Sequence, residues 1–253
     1  MNISFCGSGF LGIYHIGATQ ALVNHAPNLL SRLSKVGGAS AGALVAALLV
    51  CDTSKLEACK MFNLTFAEDI RKKPLGALTP GFDLTVPLAK FMREQLLEDA
   101  YIKANGRLHI SVSSFKSGIP TNKVISCFSS NEMLIKYLIA SCYIPVYAGF
   151  KPPVIDNTIY TDGGLINNLI IFDEGRTVTV SPFCGDQDIC PADDKGLDWK
   201  FKIKNQTFQF NKKNGLRAVD GLFPPSHDKL LSYHDIGYNN AVTFLKSNNF
   251  YES

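Results

Sequence analysis

Residues 35–50, KVGGASAGALVAALLV, decide the fold of this chain. Within this stretch Ser40 stands between Gly38 and Gly42 in the pattern G-x-S-x-G, after a short strand-like segment and before the apolar run 41–50. A strand, a sharp turn and a buried helix would place Ser40 at the apex of the turn, where small neighbours tolerate strained backbone and let a substrate carbonyl approach the hydroxyl. The pattern predicts a nucleophilic serine, although G-x-S-x-G arises by chance in roughly one chain of this length in ten.

A glycine-rich turn near the N-terminus supplies a second motif. Gly7, Ser8 and Gly9 follow a strand-like segment, and Gly12 opens a helix-like one. Dinucleotide-binding turns look similar, but they require an acidic residue about 20 positions later, and the first carboxylate of this chain is Asp52. Exposed backbone N–H groups at a helix N-terminus suit the oxyanion of an acyl-transfer intermediate instead. An isolated turn of this kind is more often purely structural.

A third motif contains a candidate base. Asp162 leaves the strand-like run 158–161 and is followed by Gly163 and Gly164. A turn of this kind can aim the carboxylate at a neighbouring element, although a single Asp-Gly-Gly is more often an ordinary turn. The joint occurrence of the three motifs in this order has a chance probability on the order of one in a thousand or less.

With these motifs the chain resembles the patatin-like phospholipase family over essentially its full length. The resemblance is to the adipose triglyceride lipase and adiponutrin branch, and within it to the shortest type. Further matching segments are LTPGFD at 78–83, ASCYIPVYAG at 140–149, VSPF at 180–183 and LFPPS at 222–226. Two departures are visible: Ser8 stands where other members carry glycine or cysteine, and Asp-Gly-Gly stands where many carry Asp-Gly-Ala.

The resemblance implies a fold and a set of site residues. The fold is a three-layer α/β/α patatin-like sandwich with a mainly parallel central sheet. Ser40 is the nucleophile and Asp162 the general base of a Ser-Asp dyad, and Gly7, Ser8 and Gly9 form the oxyanion hole. The motif glycines are Gly12, Gly38, Gly42, Gly163 and Gly164. We expect neither a metal nor a cofactor.

A dyad places a physical requirement on Asp162. A serine hydroxyl needs a base within hydrogen-bond reach, and an ordinary aspartate is a poor base at neutral pH. Partial burial among apolar groups would raise its proton affinity. The acyl-serine would then react with water, giving hydrolysis, or with an alcohol, giving transacylation.

Two alternatives remain open at this point. One is a Ser-His-Asp esterase of the α/β-hydrolase type, in which His227 or His234 would supply the base by position in the chain. No motif surrounds either histidine, and solvated or helix-start positions explain both. The other alternative is a lipid-surface binding protein with little turnover.

The distribution of apolar residues predicts alternating helices and strands in a single catalytic domain spanning residues 1–253. The core motifs lie within about 3–170 and a C-terminal extension covers about 171–253. Helix-like segments are 12–24, 41–50, 54–70, 84–97, 131–142 and 229–246, and strand-like segments are 2–6, 108–113, 123–128, 158–161 and 177–181. Such alternation is typical of an α/β fold whose strand ends meet at one edge of the sheet.

Charge, cysteine content and hydropathy indicate the class of partner and the cellular location to expect. The net charge of +3 gives no indication of nucleic-acid binding. Seven cysteines without C-x-x-C or metal spacing, and no signal peptide, predict reduced thiols and a cytoplasmic, intracellular location. The apolar run 41–50 is too short to cross a bilayer, so no transmembrane segment is expected.

A lysine-rich segment indicates how the chain could meet its substrate. Lysines at 195, 200, 202, 204, 212 and 213 are interleaved with aromatic and aliphatic residues between Trp199 and Phe210. A solvated strand or loop surface explains this pattern, and peripheral contact with a membrane or lipid-droplet surface is the functional alternative.

The motifs and the resemblance together predict a lipid acyl hydrolase acting on neutral glycerolipids or related esters. The family implies activity of the triacylglycerol lipase or phospholipase A type, and it extends the candidates to retinyl-ester hydrolysis and to acylglycerol or retinol transacylation. The segments 51–97 and 143–150 are expected to form the acyl-chain pocket.

Overall fold

A computed structural model describes residues 1–116, 119–193 and 199–252 of the chain. The strands among these residues are β1 (Asn2–Phe5), β2 (Lys35–Ala39), β3 (Leu108–Lys116), β4 (Ile119–Ile125), β5 (Val154–Ile155), β6 (Thr158–Asp162), β7 (Thr177–Val180), β8 (Lys200–Ile203) and β9 (Gln206–Gln209). The helices are α1 (Gly12–His25), α2 (Pro27–Ser31), α3 (Ala41–Cys51), α4 (Leu56–Arg71), α5 (Thr85–Gln95), α6 (Ala100–Ala104), α7 (Asn131–Ser141), α8 (Lys212–Leu222) and α9 (His227–Ser247).

The central sheet is mixed, with a parallel centre. Its strands run in the order β5-β6-β3-β2-β1-β7, and β4 pairs with β3 outside this path. The pairs β3–β2, β2–β1 and β1–β7 are parallel, whereas β4, β5 and β6 join by antiparallel pairing. The predicted α/β fold with a mainly parallel central sheet is confirmed. Strands β8 and β9 form a separate antiparallel hairpin.

The first strand and helix α3 lie in the core. All four residues of β1 are buried, as expected for a strand covered on both faces of a parallel sheet. Helix α3 is apolar almost throughout its length, and eight of its eleven residues are buried. The run 41–50 is therefore a core helix behind Ser40, as its length and composition predict.

The longest helix packs closely on the first. A Cβ on Gly17 of α1 would overlap the carbonyl of His234, and a Cβ on Gly237 of α9 would overlap the carbonyl of Tyr14. Two facing glycines thus let these backbones approach within contact distance. This packing attaches the C-terminal helix to the helix that follows the glycine turn.

Strand β4 differs from the sequence prediction. The segment 123–128 was expected to be a strand, but the strand covers Ile119–Ile125 and ends before Cys127. The chain leaves the sheet because Phe128 N–H donates to Asn105 Oδ1 at 2.6 Å and Ser126 O accepts from Gly106 N–H at 2.9 Å. The helix predictions agree with the structure to within two residues at each end.

Candidate active site

Ser40 lies at the turn between β2 and α3 in a backbone conformation that residues with a side chain rarely adopt. Its φ is 51° and its ψ is −130°, which is the local strain of a nucleophile elbow. Ser40 is the N-cap of α3, yet its side chain makes no capping hydrogen bond. The hydroxyl is therefore left for chemistry at the positive end of a helix dipole.

Glycines allow the close packing of the elbow. A Cβ on Gly38 would lie 2.5 Å from the backbone nitrogen of Ala43, and one on Gly42 would overlap the carbonyl of Phe5. Gly12 faces the other side of the elbow, where an added Cβ would lie 2.9 Å from that of Ala41. These positions cannot carry a side chain without movement of the neighbouring chain.

Strand β3 brings Ser40 and Asp162 together. Ala39, the last residue of β2, pairs with Ser111, and Asp162, the last residue of β6, pairs with Val112. β4 occupies the other edge of β3, so β2 and β6 meet end to end along the same edge, and the two candidate residues leave these strands at neighbouring positions. A mixed sheet thus joins two residues that are far apart in the sequence.

Buried serines attach the elbow to β3. The backbone N–H of Ser40 donates to Ser141 Oγ at 2.8 Å, and Ser141 Oγ donates to Ser111 O at 2.8 Å. The Ser111 hydroxyl in turn donates to Asn167 O at 2.8 Å, in the segment that follows Asp162. These residues were not identified from the sequence, because a serine in an apolar strand or helix has no local motif.

The carboxylate of Asp162 is buried and polarised. Only 4% of the residue is exposed, and burial raises its pKa from 3.8 to about 6. The hydrogen bond from Gly164 N–H, at 2.6 Å, and the nearby Ser40 side chain oppose that shift by stabilising the charged form. This is the environment that a carboxylate base requires, with the hydroxyl of Ser40 as its partner.

The two glycines after Asp162 are needed for space. A Cβ on Gly163 would overlap the carbonyl of Ser111, so this glycine lets the turn pass close to β3. A Cβ on Gly164 would lie 2.5 Å from Asn168 Oδ1 and 2.9 Å from Asp162 Oδ1.

The N-terminal glycine turn faces the same point. A Cβ on Gly7 would lie 3.2 Å from Ser40 Cβ, so the turn lies beside the candidate nucleophile. The N–H of Gly7 donates to Asn168 Oδ1 at 3.0 Å. The N–H groups of Ser8 and Gly9 have no acceptor among the described residues. The donors left for an oxyanion in this turn are therefore Ser8 and Gly9, whereas all three were expected.

A cavity of about 560 Å³ opens beside these residues, which is within the usual range for ligand pockets. Ser40, Asp162 and the glycine turn form part of its wall. The remaining wall is mostly apolar, and Asp162 is the only charged side chain among the described lining residues.

Two aromatic groups line the cavity. The first comprises Phe10, Phe62, Phe66 and Phe91, with ring centroids of Phe62 and Phe91 4.2 Å apart. Both segments that were expected to form the acyl pocket contribute to the wall, for example through Phe62 and Ile144. The second group, Phe183, Phe201, Phe208 and Phe210, comes from the region of the β8–β9 hairpin. It was not assigned to the pocket from the sequence.

None of the five histidines, all of which lie in the described part of the chain, is hydrogen-bonded to Ser40 or Asp162. His234 contacts Gln20 at 2.7 Å and Asp235 at 3.1 Å, and the half-exposed His227 faces Asp228. His15 Nε2 lies 2.8 Å from Cys6 O, and burial lowers its pKa to about 4, so the neutral ring donates this bond. The geometry does not support a triad.

Cys142 also borders Ser40 and Asp162. Burial raises the pKa of its thiol far above the ordinary value. Because the thiolate is the nucleophilic form of cysteine, this thiol is unreactive near neutral pH. All seven cysteines are free.

The lysine-rich segment is the β8–β9 hairpin and the start of α8. Lys202, Lys204 and Lys212 are exposed, and Lys200 pairs with Asp186. Lys195, which belongs to the same predicted cluster, lies outside the described residues. In the part of the chain that the structure describes, no helix has the length and apolar character needed to cross a bilayer. Residues 1–116, 119–193 and 199–252 contain no group of acidic, histidine or cysteine side chains that could hold a metal ion.

Comparison with known proteins identifies the family of the chain. A family model described as patatin-like phospholipase matches residues 3–173. Human patatin-like phospholipase domain-containing protein 4 is 42% identical over 252 residues, which cover 100% of this chain and 99% of the human protein. The full-length match confirms the resemblance to a short member of the family.

Longer relatives match over part of their length. Mouse patatin-like phospholipase domain-containing protein 2 is 40% identical over 98% of this chain, which covers 50% of the mouse protein. Mouse omega-hydroxyceramide transacylase is 38% identical over 97% of this chain, which covers 40% of that protein.

Proposed function

The chain belongs to the patatin-like phospholipase family, and from this membership we propose that it is a serine lipid acyl hydrolase that uses Ser40 and Asp162 as a dyad. One observation carries the proposal: a strained Ser40 and a buried Asp162 of raised pKa lie together at the wall of an apolar cavity, with the Ser40 side chain close enough to the carboxylate to influence its pKa. A nucleophilic serine needs a base within reach of its hydroxyl, and a carboxylate base near neutral pH needs a raised pKa.

The reaction follows from the positions of the groups. Ser40 Oγ attacks the ester carbonyl carbon while its proton passes to Asp162, and the carbonyl oxygen becomes an oxyanion facing the N–H groups of Ser8 and Gly9. The tetrahedral intermediate then expels the alcohol, which takes the proton from Asp162. An acyl-Ser40 ester remains. Water, deprotonated by Asp162, attacks this ester, and the second tetrahedral intermediate releases the fatty acid while Asp162 returns the proton to Ser40 Oγ.

The walls of the cavity favour a neutral ester. No lysine or arginine is among the described lining residues, so the cavity offers no countercharge to a phosphate. Two aromatic groups provide apolar surface for an acyl chain and for an apolar alcohol portion. Neutral glycerolipids or retinyl esters therefore fit the cavity better than phospholipid head groups do.

Transacylation is a second outcome of the same intermediate. An alcohol that occupies the place of water would receive the acyl group from Ser40, with Asp162 removing the proton of the attacking hydroxyl. The similarity to a protein named omega-hydroxyceramide transacylase, at 38% identity, supports this outcome. An acylglycerol or retinol would be the acceptor here.

Helix α8 supports the proposal that the protein works at a lipid surface. Its inner face is polar: Asn214, Arg217 and Asp220 are each 7% exposed, whereas Leu216 and Val219 are 48% and 54% exposed. This is the reverse of an ordinary surface helix.

The inner face of α8 is fully paired. Arg217 donates to both carboxylate oxygens of Asp193, at 2.6 and 2.7 Å, and Asp220 accepts from the Tyr233 hydroxyl at 2.6 Å. These buried charge-assisted bonds hold the helix in this orientation. The apolar face therefore stays directed outward.

The outward apolar residues continue into the cavity. We call this area the mouth surface; it consists of Phe201, Ile203, Phe210, Leu216, Val219 and Leu222. Four of the six also line the cavity, namely Phe201, Ile203, Phe210 and Leu222. Exposed lysines on the hairpin accompany the apolar residues, a combination that favours the surface of a membrane or lipid droplet bearing anionic lipid. The intracellular location remains a prediction from the cysteine content.

Liposome flotation tests the contribution of the lysines. Lys202→Glu/Lys204→Glu should reduce the fraction that floats with vesicles containing phosphatidylserine, and the matched variant Lys90→Glu/Lys136→Glu, which reverses two exposed charges elsewhere, should not. Equal flotation of both variants would show that the hairpin lysines do not contact lipid.

The enzyme proposal is tested with wild-type and Ser40→Ala proteins on p-nitrophenyl butyrate, triolein, retinyl palmitate and a phosphatidylcholine. The wild type should hydrolyse the neutral esters faster than the phospholipid, and Ser40→Ala should be inactive on all of them. His227→Ala and His234→Ala should retain activity, whereas Asp162→Asn should lose it. A wild type as inert as Ser40→Ala on every ester would instead favour the non-enzymatic lipid-binding protein.

A further inference from the structure

Asn168 occupies the space between the two loops of the site. Its Oδ1 accepts from Gly7 N–H at 3.0 Å, and its Nδ2 donates to Gly7 O at 3.2 Å. Both polar groups of the Gly7 backbone are therefore held by one side chain. Asn168 also fills the space beside Gly164, because a Cβ on Gly164 would lie only 2.5 Å from Asn168 Oδ1.

Asn168 is itself held by Gln206 of the β8–β9 hairpin. Asn168 Nδ2 donates to Gln206 Oε1 at 2.6 Å, and Gln206 Nε2 donates to Ser181 Oγ at 3.0 Å. Gln206 has no exposed surface. The hairpin thus reaches the glycine turn through the buried amide of Gln206 and the partly buried amide of Asn168.

The glycine turn has a second support from the C-terminal part of the chain. Gly9 has a φ of 55°, and a Cβ at this position would overlap the carbonyl of Gly221 in α8. Residues 206 and 221 both lie beyond residue 173, where the match to the family model ends. The region after this match therefore contacts the turn directly at Gly9 and supports it at Gly7 through Asn168.

We propose that Asn168 and Gln206 are positioning residues that hold the Ser8 and Gly9 N–H groups in place for the oxyanion. The inference rests on the proposed acyl-transfer function. A turn of glycine and serine has a large conformational freedom of its own, and donors stabilise the oxyanion only when their geometry is preset. Without the Asn168 side chain, the Gly7 N–H would keep only its longer bond to the Asn168 backbone carbonyl, at 3.4 Å, and the Gly7 carbonyl would lose its donor. The next two N–H groups would then be held less firmly.

This role predicts an effect on the chemical step. A misplacement of about 1 Å at a reacting centre can cost about a hundredfold in rate. Loss of the amides should therefore lower kcat while leaving the apolar cavity, and with it KM, nearly unchanged.

Three variants test the proposal: Asn168→Ala, Gln206→Leu and the control Asn205→Ala. Asn205 is the neighbour of Gln206 on the same hairpin and donates to Leu169 O at 3.2 Å, so its removal also cuts a hairpin contact but leaves Gly7 untouched. Hydrolysis of p-nitrophenyl butyrate is measured for each variant. The rates are divided by the number of sites that a fluorophosphonate labels at completion, and the initial rate of labelling is recorded separately.

We expect kcat per labelled site to fall about 30- to 100-fold in Asn168→Ala and about tenfold in Gln206→Leu, with slower labelling and KM within about threefold of wild type. Asn205→Ala should keep the wild-type kcat per site. If Asn168→Ala does not fold, the kcat per labelled site of Gln206→Leu alone tests the positioning role. Wild-type kcat per labelled site in both folded variants, or an equal loss in Asn205→Ala, would overturn the positioning role. Failure of the wild type itself to act through Ser40 would instead overturn the proposed function.

Discussion

At the scale of single residues, we expect the environment of Asp162 to govern how the proposed activity depends on pH. Its carboxylate is buried, and its pKa of about 6 lies above that of an ordinary aspartate. The same burial that makes it a better base also makes its charged form costly to hold in the folded chain.

The first prediction concerns the rate. The carboxylate accepts the Ser40 proton only when ionised, so kcat/KM on a soluble ester should rise with pH and level off above an apparent pKa of about 6. Stopped assays of p-nitrophenyl butyrate hydrolysis between pH 4.5 and 8 measure this profile. A midpoint near 4 would mean that burial does not govern the base, and a midpoint lost on His234→Ala would point to a histidine.

The second prediction concerns stability. The folded-state pKa of Asp162 is raised, so the folded chain binds this proton more tightly than the unfolded chain does. Stability from this group is complete below pH 3.8 and is lost as the pH rises through about 6. Asp162→Asn keeps an oxygen for Gly164 N–H without the charge. It should be more stable than wild type at pH 8 by about 2–3 kcal/mol and nearly equal to it at pH 4.

Urea unfolding at the two pH values measures this difference. Asp173→Asn, which removes an exposed carboxylate, serves as the control and should change stability little at either pH. An Asp162→Asn variant less stable than wild type at pH 8 would mean that hydrogen bonds to the charged carboxylate outweigh the free-energy cost of burying it.

At the scale of elements, the junction between β2 and α3 depends on an approach that only glycine allows. The N-terminal turn of α3 lies against the carbonyls of Phe5 and Cys6 at the end of β1. This contact places the elbow and the glycine turn side by side, because β1 and β2 are adjacent parallel strands with Phe5 opposite Gly38. The position of Ser40 is therefore a property of two strands and a helix together.

The third prediction compares two helical glycines. A Cβ at Gly42 overlaps backbone, so Gly42→Ala should destabilise the protein by about 2 kcal/mol or more. Gly215 of α8 has nothing within 4 Å of its added Cβ, so Gly215→Ala should be neutral or stabilise by up to about 1 kcal/mol through helix propensity. Thermal unfolding of both variants measures the contrast. Similar shifts in the two would mean that the elbow can relax without cost.

The hairpin β8–β9 shows why an element can escape recognition in the sequence. Lys200, Phe201, Lys202 and Ile203 are all exposed, so the strand has no inward apolar face to distinguish it from a solvated surface. Its buried side is carried by polar residues, Gln206 and Gln209. Their partners, Asn168 and Cys184, come from other parts of the chain.

At the scale of the whole molecule, the mouth surface connects the cavity with the outside. An exposed apolar area beside a ligand cavity is typical of a site of interaction, and here it would lower the barrier for a lipid ester to enter from its own phase. Binding to lipid and turnover of a soluble ester should therefore be separable.

The fourth prediction uses that separation. Leu216→Asp/Val219→Asp should reduce hydrolysis of emulsified triolein at least about tenfold, because two charges would have to enter the lipid interface. Hydrolysis of soluble p-nitrophenyl butyrate should stay within about twofold of wild type, since neither residue lines the cavity. Ile102→Asp/Ile119→Asp, at two exposed apolar positions outside the mouth surface, is the control. An equal loss on both substrates would contradict a separate docking surface.

The sequence by itself determined the α/β class, the family and the identity of the candidate nucleophile, base and glycine turn, because each of these is written in local motifs and in the periodicity of apolar residues. Tertiary structure alone decided how they act together. Strand β3 pairs with both β2 and β6 and so joins Ser40 to Asp162, burial sets the pKa of that carboxylate, and Asn168 takes the Gly7 N–H that the sequence had assigned to the oxyanion. The outward apolar face of α8 and the contact of Gln206 with Asn168 are likewise decided only by the tertiary structure. Pairing, burial and hydrogen bonding depend on which distant segments meet in space. A local sequence pattern does not specify these long-range contacts.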